Sequence, residues 1–158
     1  MRLRPAPLIT AAVLVFIALQ AFNPSGSNPP SDPSLHLRAL VPAGDPALAV
    51  LDRACRDCHS NETEWPGYSR IAPVSWFVAR HVRDGRRELN LSEFGSYNDR
   101  KRRRKLEEVC EQVEKGDMPL ASYLLLHPAA RLQPADVTLL CGLKVPGTVR
   151  LDAPAVVP

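Results

Sequence analysis

The sequence predicts an all-α protein. Apolar residues recur at helical spacing in several segments, for example at Val50, Leu51 and Ala54, and this spacing places side chains on one face of a helix. Just before them, Asp45-Pro46 combines a capping carboxylate with a proline at the first helical position, which is typical of a helix start. No segment alternates apolar and polar residues long enough to predict a strand.

Further helices follow from the same criteria. Their predicted bounds are, in chain order, Pro73 to Asn90 or Leu91, Asn98 or Asp99 to Gly116, Ser122 to His127, and Pro134 onward. Gly85 weakens the first of these, and Gly116 supplies a stop signal for the second. The predicted apolar faces comprise Val74, Phe77, Val78, His81 and Val82 in the first of these helices, and Leu106, Val109, Cys110 and Val113 in the second.

The chain of 158 residues divides into four predicted parts. Residues 1–22 are a signal peptide or membrane anchor, because Arg2 and Arg4 precede an uncharged, largely apolar run from Pro5 to Phe22. The absence of a clear Ala-x-Ala cleavage site favours the uncleaved anchor. Residues 23–44 form a Pro-rich linker or extended wrap, residues 45–145 the folded domain, and residues 146–158 a flexible tail. This order predicts export to the periplasmic side of the cytoplasmic membrane.

The charge pattern argues against nucleic acid as a partner. The net charge is only +3, and the predicted export makes a nucleic-acid partner unexpected for the basic run from Arg100 to Lys105. We expect a solvated helix face there, with docking to an acidic partner protein or pairing with the carboxylates of a bound group as alternatives. The pattern of the predicted helix turns Arg102 and Arg103 toward the interior.

One pentapeptide predicts a cofactor. Cys55-Arg56-Asp57-Cys58-His59 has the Cys-x-x-Cys-His pattern of c-type haem attachment. Each thiol adds across one haem vinyl group to form a thioether, and the histidine coordinates the iron. A Cys-x-x-Cys pair is also compatible with a dithiol redox site or half of a zinc site, and export disfavours the zinc site.

A sixth iron ligand is expected opposite His59. We predict Met118, the only internal methionine of the sequence, because it lies in a loop between predicted helices and Pro119 stiffens the backbone beside it. Ligation by two histidines would give a lower reduction potential than ligation by histidine and methionine. His81 and His127 are the weaker candidates, since the first lies on an apolar helix face and the second at a helix end. His36 lies in the linker, where we expect it to be solvated.

Aromatic residues after the motif are predicted to surround the haem. Trp65, Tyr68 and Trp76, together with Asn61, are expected to wall the haem edge or to donate hydrogen bonds to the propionates, although both tryptophans could equally be core residues. The free ring nitrogen of His59 should donate to a backbone carbonyl. The loop from Trp65 to Pro73 is the expected source of that carbonyl.

Two further cysteines, Cys110 and Cys141, lie on predicted helices. In an oxidising compartment they could form a disulfide that closes a long loop. Two separate buried thiols are the alternative.

Several stretches together resemble a known family. They are the run from Cys55 to Pro66, the run from Tyr68 to Trp76, His81-Val82, Gly85-Arg86 and Met118-Pro119, and they are similar to the bacterial haem-binding domain family related to cytochrome c. The resemblance implies a small cytochrome c-like helical domain around one covalent haem c, attached at Cys55 and Cys58 with His59 as axial ligand. It says little about the role.

We therefore expect a single-electron carrier with an unidentified redox partner protein and no catalytic residues of its own. The alternatives are a haem-based sensor or peroxidase-like enzyme with a displaceable sixth ligand, and a dithiol oxidoreductase without haem.

Overall fold

A computed structural model of the chain describes residues 5–24 and 26–145. This described part is all-α, as predicted, with no strand. Its α-helices are α1 (Pro5–Gln20), α2 (Pro46–Ala54), α3 (Arg56–His59), α4 (Val74–Glu88), α5 (Asp99–Glu114), α6 (Ala121–Leu124) and α7 (Pro134–Gly142). Short 3₁₀ turns lie at Pro33–Leu35, Leu37–Ala39, Gly67–Arg70, Phe94–Ser96 and Pro128–Ala130.

Helix α2 forms as the sequence predicts. The Asp45 carboxylate accepts a hydrogen bond from the Ala47 backbone N–H at 2.9 Å, and Pro46 occupies the first turn. This cap satisfies one of the backbone donors that a helix N-terminus leaves without a partner. The predicted apolar face is buried in the structure and consists of Ala47, Val50, Leu51 and Ala54.

Helices α5 and α7 pack against each other and are cross-linked. Asn98 caps α5 through its side-chain oxygen, and Gly116 follows the helix with a φ of +74°, a backbone conformation that favours glycine. Cys110 of α5 and Cys141 of α7 form a disulfide. The disulfide alternative is thereby confirmed over separate thiols.

The segment before α2 is part of the core, which corrects one expectation. Leu37 and Val41 are only 3% and 6% exposed, and they pack with Leu51 and Phe94 in the main apolar cluster. His36 is buried rather than solvated, with its Nε2 atom 2.6 Å from Ser31 Oγ. Residues 36–41 are therefore packed on the domain, as the extended wrap predicts, because a few apolar side chains suffice to hold a segment without a helical period.

The predicted apolar face of α4 is only partly buried. Val82 is buried as predicted, and Val78 and His81 are half-buried, whereas Val74 and Phe77 are 45% and 52% exposed and Ser75 is buried instead. Gly85 of the same helix lies against the Cys58 carbonyl of α3, so the face of α4 that packs on α3 includes a residue outside the predicted apolar stripe.

Within the described residues, no helix combines the length and the apolar character needed to cross a membrane. Arg2, Arg4 and the predicted flexible tail of residues 146–158 lie outside the described residues.

Candidate functional site

The Cys-x-x-Cys-His motif occupies the single turn of α3, directly after α2. The backbone N–H groups of Cys58 and His59 both donate to the Cys55 carbonyl, at 3.2 Å and 2.9 Å. This hydrogen bonding holds Cys55, Cys58 and His59 within one helical turn. Cys55 and Cys58 are free thiols and are partly buried. The local sequence thus presents both thiols and the imidazole from one short, rigid element.

The imidazole of His59 is held by α4. Its Nδ1 atom lies 2.9 Å from the Gly85 carbonyl oxygen and 3.1 Å from that of Leu89. Since a carbonyl only accepts, Nδ1 carries the proton, and Nε2 is the nitrogen left for a metal. The expectation that the loop from Trp65 to Pro73 supplies this acceptor is wrong. Helix α4, not the loop, packs directly against α3.

Burial favours the neutral form of this imidazole. Desolvation lowers the pKa of His59, while the two carbonyl acceptors oppose the shift. A neutral imidazole is the form that coordinates a metal.

Gly85 makes the contact between α3 and α4 possible. A Cβ atom at this position would lie 2.6 Å from the carbonyl oxygen of Cys58, closer than a carbon can approach without displacing the backbone. A side chain here would therefore push α4 away from α3 and move the Gly85 and Leu89 carbonyls away from His59. Gly85 lowers the helix propensity of this segment, but in the fold it positions His59.

His59 and Met118 line the same cavity. It has a volume of about 330 Å³, within the usual range of small-molecule sites. Cys55 also lines it, between the ends of α2 and α3. Most of the other lining residues are apolar, namely Leu51, Ala54, Leu89, Val109, Val113, Pro119 and Leu132. The four polar ones are Glu88, Lys105, Glu108 and Gln112.

The turn after α5 brings Met118 to this cavity. The backbone N–H groups of Asp117 and Met118 both donate to the Gln112 carbonyl, at 3.0 Å and 3.3 Å. Together with the positive φ of Gly116, these bonds reverse the chain direction at the end of the helix. Met118 is half-buried and packs against the main core.

The competing histidines lie elsewhere. His81 and His127 line a second, smaller cavity of about 70 Å³, which also contains Cys58 and Tyr68. His127 stacks on Tyr123 with a ring separation of 4.1 Å, and His81 donates to the Phe77 carbonyl of its own helix. The structure thus brings Met118, and not these histidines, into one cavity with His59.

The three predicted aromatic residues have different positions. Tyr68 lines the smaller cavity beside Cys58. Trp65 lines neither cavity; its indole N–H donates to Asn28 Oδ1 at 3.0 Å, and the N-terminal segment covers it at Gly26. Trp76 also lies away from both cavities and donates to the Phe22 carbonyl at 3.0 Å. The two tryptophans hold the N-terminal segment onto the domain.

The two thiols of the motif have strongly raised pKa values. Burial raises the pKa of Cys55 to about 12, and burial with the nearby Asp57 carboxylate raises that of Cys58 to about 11. Dithiol oxidoreductases use the thiolate, which a lowered pKa favours. The raised pKa values therefore do not favour a reactive dithiol at this motif.

Sequence reasoning missed the polar part of the larger cavity. Lys105 is buried and lines the cavity, whereas Arg102 and Arg103 were expected to turn inward. Val113, Val109 and Lys105 are spaced four residues apart and therefore lie on one helix face. This spacing is the sequence signal that predicts Lys105 on the buried face. Arg102 is also mostly buried, with a side chain 17% exposed, and donates to the Gly95 carbonyl.

These side chains fit a haem group. His59 has its Nδ1 atom in hydrogen bonds and its Nε2 atom free for iron, and the Met118 thioether lies in the same, mostly apolar cavity. Cys55 and Cys58 present two protonated thiols one turn apart. The comparison with protein families agrees, since residues 14–143 match the haem-binding domain. The chain belongs to this family and is a haem-binding protein. No curated protein and no solved structure matches it.

Proposed function

We propose that this haem-binding protein carries one covalently attached haem c and transfers single electrons to or from a redox partner protein. The observation that carries the proposal is the shared cavity of His59 and Met118. A haem bound there supplies a one-electron iron couple, and a methionine ligand raises its reduction potential.

Cys55 and Cys58 would hold the group. Each S–H adds across one vinyl C=C bond, so that one C–S and one C–H bond form and no oxidant is needed. The high pKa of both thiols supports their persistence as protonated thiols until attachment. The fixed turn of α3 orients the sulfur atoms before the reaction.

His59 and Met118 would occupy the two axial positions. The hydrogen bonds from His59 Nδ1 to Gly85 and Leu89 hold the ring orientation and direct Nε2 to the ligand role. The turn after Gly116 holds Met118. With both positions filled, no coordination site is left for a reactant, which favours electron transfer over catalysis.

We further propose that the domain lies on the periplasmic side of the cytoplasmic membrane, held there by the N-terminal segment. The disulfide between Cys110 and Cys141 supports an oxidising compartment. The apolar residues of α1 are compatible with an export segment. Cell fractionation with alkaline extraction tests this location, and recovery of the haem protein from the cytosol would contradict it.

The function is tested by expressing the chain together with haem-attachment machinery. We expect a denaturing gel to show covalent haem, and Cys55→Ala together with Cys58→Ala to abolish it. The ferric protein should show the charge-transfer band between iron and methionine sulfur. Met118→Ala should remove that band, whereas His81→Ala and His127→Ala, as matched controls, should leave it unchanged.

Two outcomes would overturn the proposal. A colourless chain would favour the dithiol oxidoreductase, and a high-spin ferric spectrum of the unmodified protein would favour a sensor or peroxidase-like enzyme. A band that survives Met118→Ala but is lost in a histidine variant would overturn the assignment of the sixth ligand alone.

A further inference from the structure

A buried lysine lies in the cavity that His59 and Met118 share. Lys105 is only 8% exposed and lines this cavity from α5. Lysine is almost never fully buried unless it is paired. Its neighbours in the basic run, by contrast, include the exposed Arg104, whose side chain is 72% exposed. The burial of Lys105 is therefore not explained by the solvated helix face that was expected for the basic run.

Its partner within the chain accounts for part of this burial. The Lys105 Nζ atom lies 2.6 Å from Glu108 Oε2. Glu108 is at the rim, 39% exposed, and its other oxygen accepts from Arg104 at 2.8 Å. Glu88, the second carboxylate of the lining, is 66% exposed. A buried cation thus lies in the wall of the cavity, and the two carboxylates of the lining belong to more exposed side chains.

The Lys105 ammonium group has more hydrogen-bond donors than its bond to Glu108 uses. It carries three N–H bonds, and the hydrogen bond to Glu108 uses one of them. A carboxylate buried in an apolar cavity needs a hydrogen-bonding cation. The porphyrin ring of a haem carries two propionate carboxylates, and in this cavity Lys105 is the buried cation.

We propose that Lys105 binds a propionate of the haem and that Gln112 contributes a neutral amide beside it. Both residues lie on the cavity side of α5, seven positions apart, and so on the same helix face. The inference rests on the proposed haem attachment. Lys105 is a positioning residue for the haem, and its charge favours the reduced iron, because reduction removes one positive charge nearby.

The test compares three variants of the full-length holoprotein. Lys105→Met removes the charge and keeps a side chain of similar length, and Lys105→Arg keeps the charge. Arg104→Gln is the matched control, because it removes the exposed base from the same glutamate. Haem labelled with ¹³C at the propionate carboxyl carbons allows redox-difference infrared spectroscopy to report on those groups, and electrochemistry gives the midpoint potential.

We expect Lys105→Met to shift the labelled carboxylate bands and to lower the midpoint potential. Arg104→Gln should leave the bands in place and change the potential by much less. Lys105→Arg should keep the potential near that of the unmodified protein but shift the bands, because a guanidinium binds a carboxylate with a different geometry. If Lys105→Met attaches no haem, the carboxylate bands of Lys105→Arg still test the proposal.

Failure of this inference is distinguishable from failure of the proposed function. If the unmodified protein shows no covalent haem, the function itself is wrong. If it carries haem, but the labelled bands are the same in the unmodified protein and in the Lys105 variants that carry haem, only the assignment of Lys105 is overturned.

Discussion

The Nδ1 atom of His59 lies 2.9 Å from the carbonyl oxygen of Gly85. The same glycine lies against the carbonyl of Cys58, so that one residue of α4 contacts two consecutive residues of the haem motif. A glycine satisfies both requirements, because it supplies a carbonyl acceptor and has no side chain to keep the helices apart. The orientation of the proposed iron ligand thus depends on a residue outside the motif.

We predict that Gly85→Ala destabilises the protein by about 1–3 kcal/mol, the usual cost of overpacking. It should also reduce haem attachment, since His59 loses its acceptor when α4 shifts. Denaturant unfolding and haem-stained gels measure both effects. Gly67→Ala is the control, because a Cβ at Gly67 meets nothing within 4 Å. Equal behaviour of the two variants would contradict this role of Gly85.

Phe94 is predicted to be a main contributor to stability. It is 0% exposed and packs in the apolar cluster with Leu37 and Val41. Phe94→Ala should lower the free energy of unfolding by about 3–5 kcal/mol, because it leaves a cavity in the core. Phe77→Ala, at a position 52% exposed, should change it by about 0.5 kcal/mol or less. Similar losses in both variants would show that the described core is wrong.

The disulfide is predicted to stabilise the fold without being needed for haem binding. Cys110 and Cys141 are 31 positions apart, and in the chain-entropy model a loop of this length contributes about 3–4 kcal/mol. Replacing both cysteines by serine should lower the free energy of unfolding by roughly that amount. Covalent haem should remain. Adding a reductant to the unmodified protein should lower the free energy of unfolding by the same amount. If neither the double variant nor the reductant changes stability, the predicted stabilisation by the disulfide is refuted.

Asp136 is predicted to make stability depend on pH. The Gln133 backbone N–H and the Arg53 guanidinium both donate to its carboxylate at 2.8 Å, and they lower its pKa from the ordinary value of 3.8. A lowered pKa in the folded state means that this stabilisation is present above the unfolded pKa and is lost as the pH falls through the folded pKa.

Asp136→Ala should therefore cost about 1–2 kcal/mol at neutral pH, and the difference from the unmodified protein should shrink below about pH 4. Denaturant unfolding at several pH values measures it. Asp52→Ala removes the exposed pair with Arg38 and should cost at most about 0.5 kcal/mol at any pH. A loss for Asp136→Ala that does not change with pH would contradict the assignment.

The sequence by itself determined the features that depend on neighbouring residues. The Asp45-Pro46 start of α2, the Gly116 stop after α5 and the one-turn spacing of the haem motif are local, because caps and helical periodicity act within a few positions. The family and its cofactor follow from the same kind of local pattern.

The tertiary structure alone decided which residues meet across the fold. Packing of α3 on α4 selected Gly85 as the acceptor for His59, and the turn after α5 brought Met118 to the same cavity. It also buried Lys105 in that cavity. The physical reason is that the burial of a side chain depends on the surfaces that pack around it, and those surfaces come from segments distant in the chain.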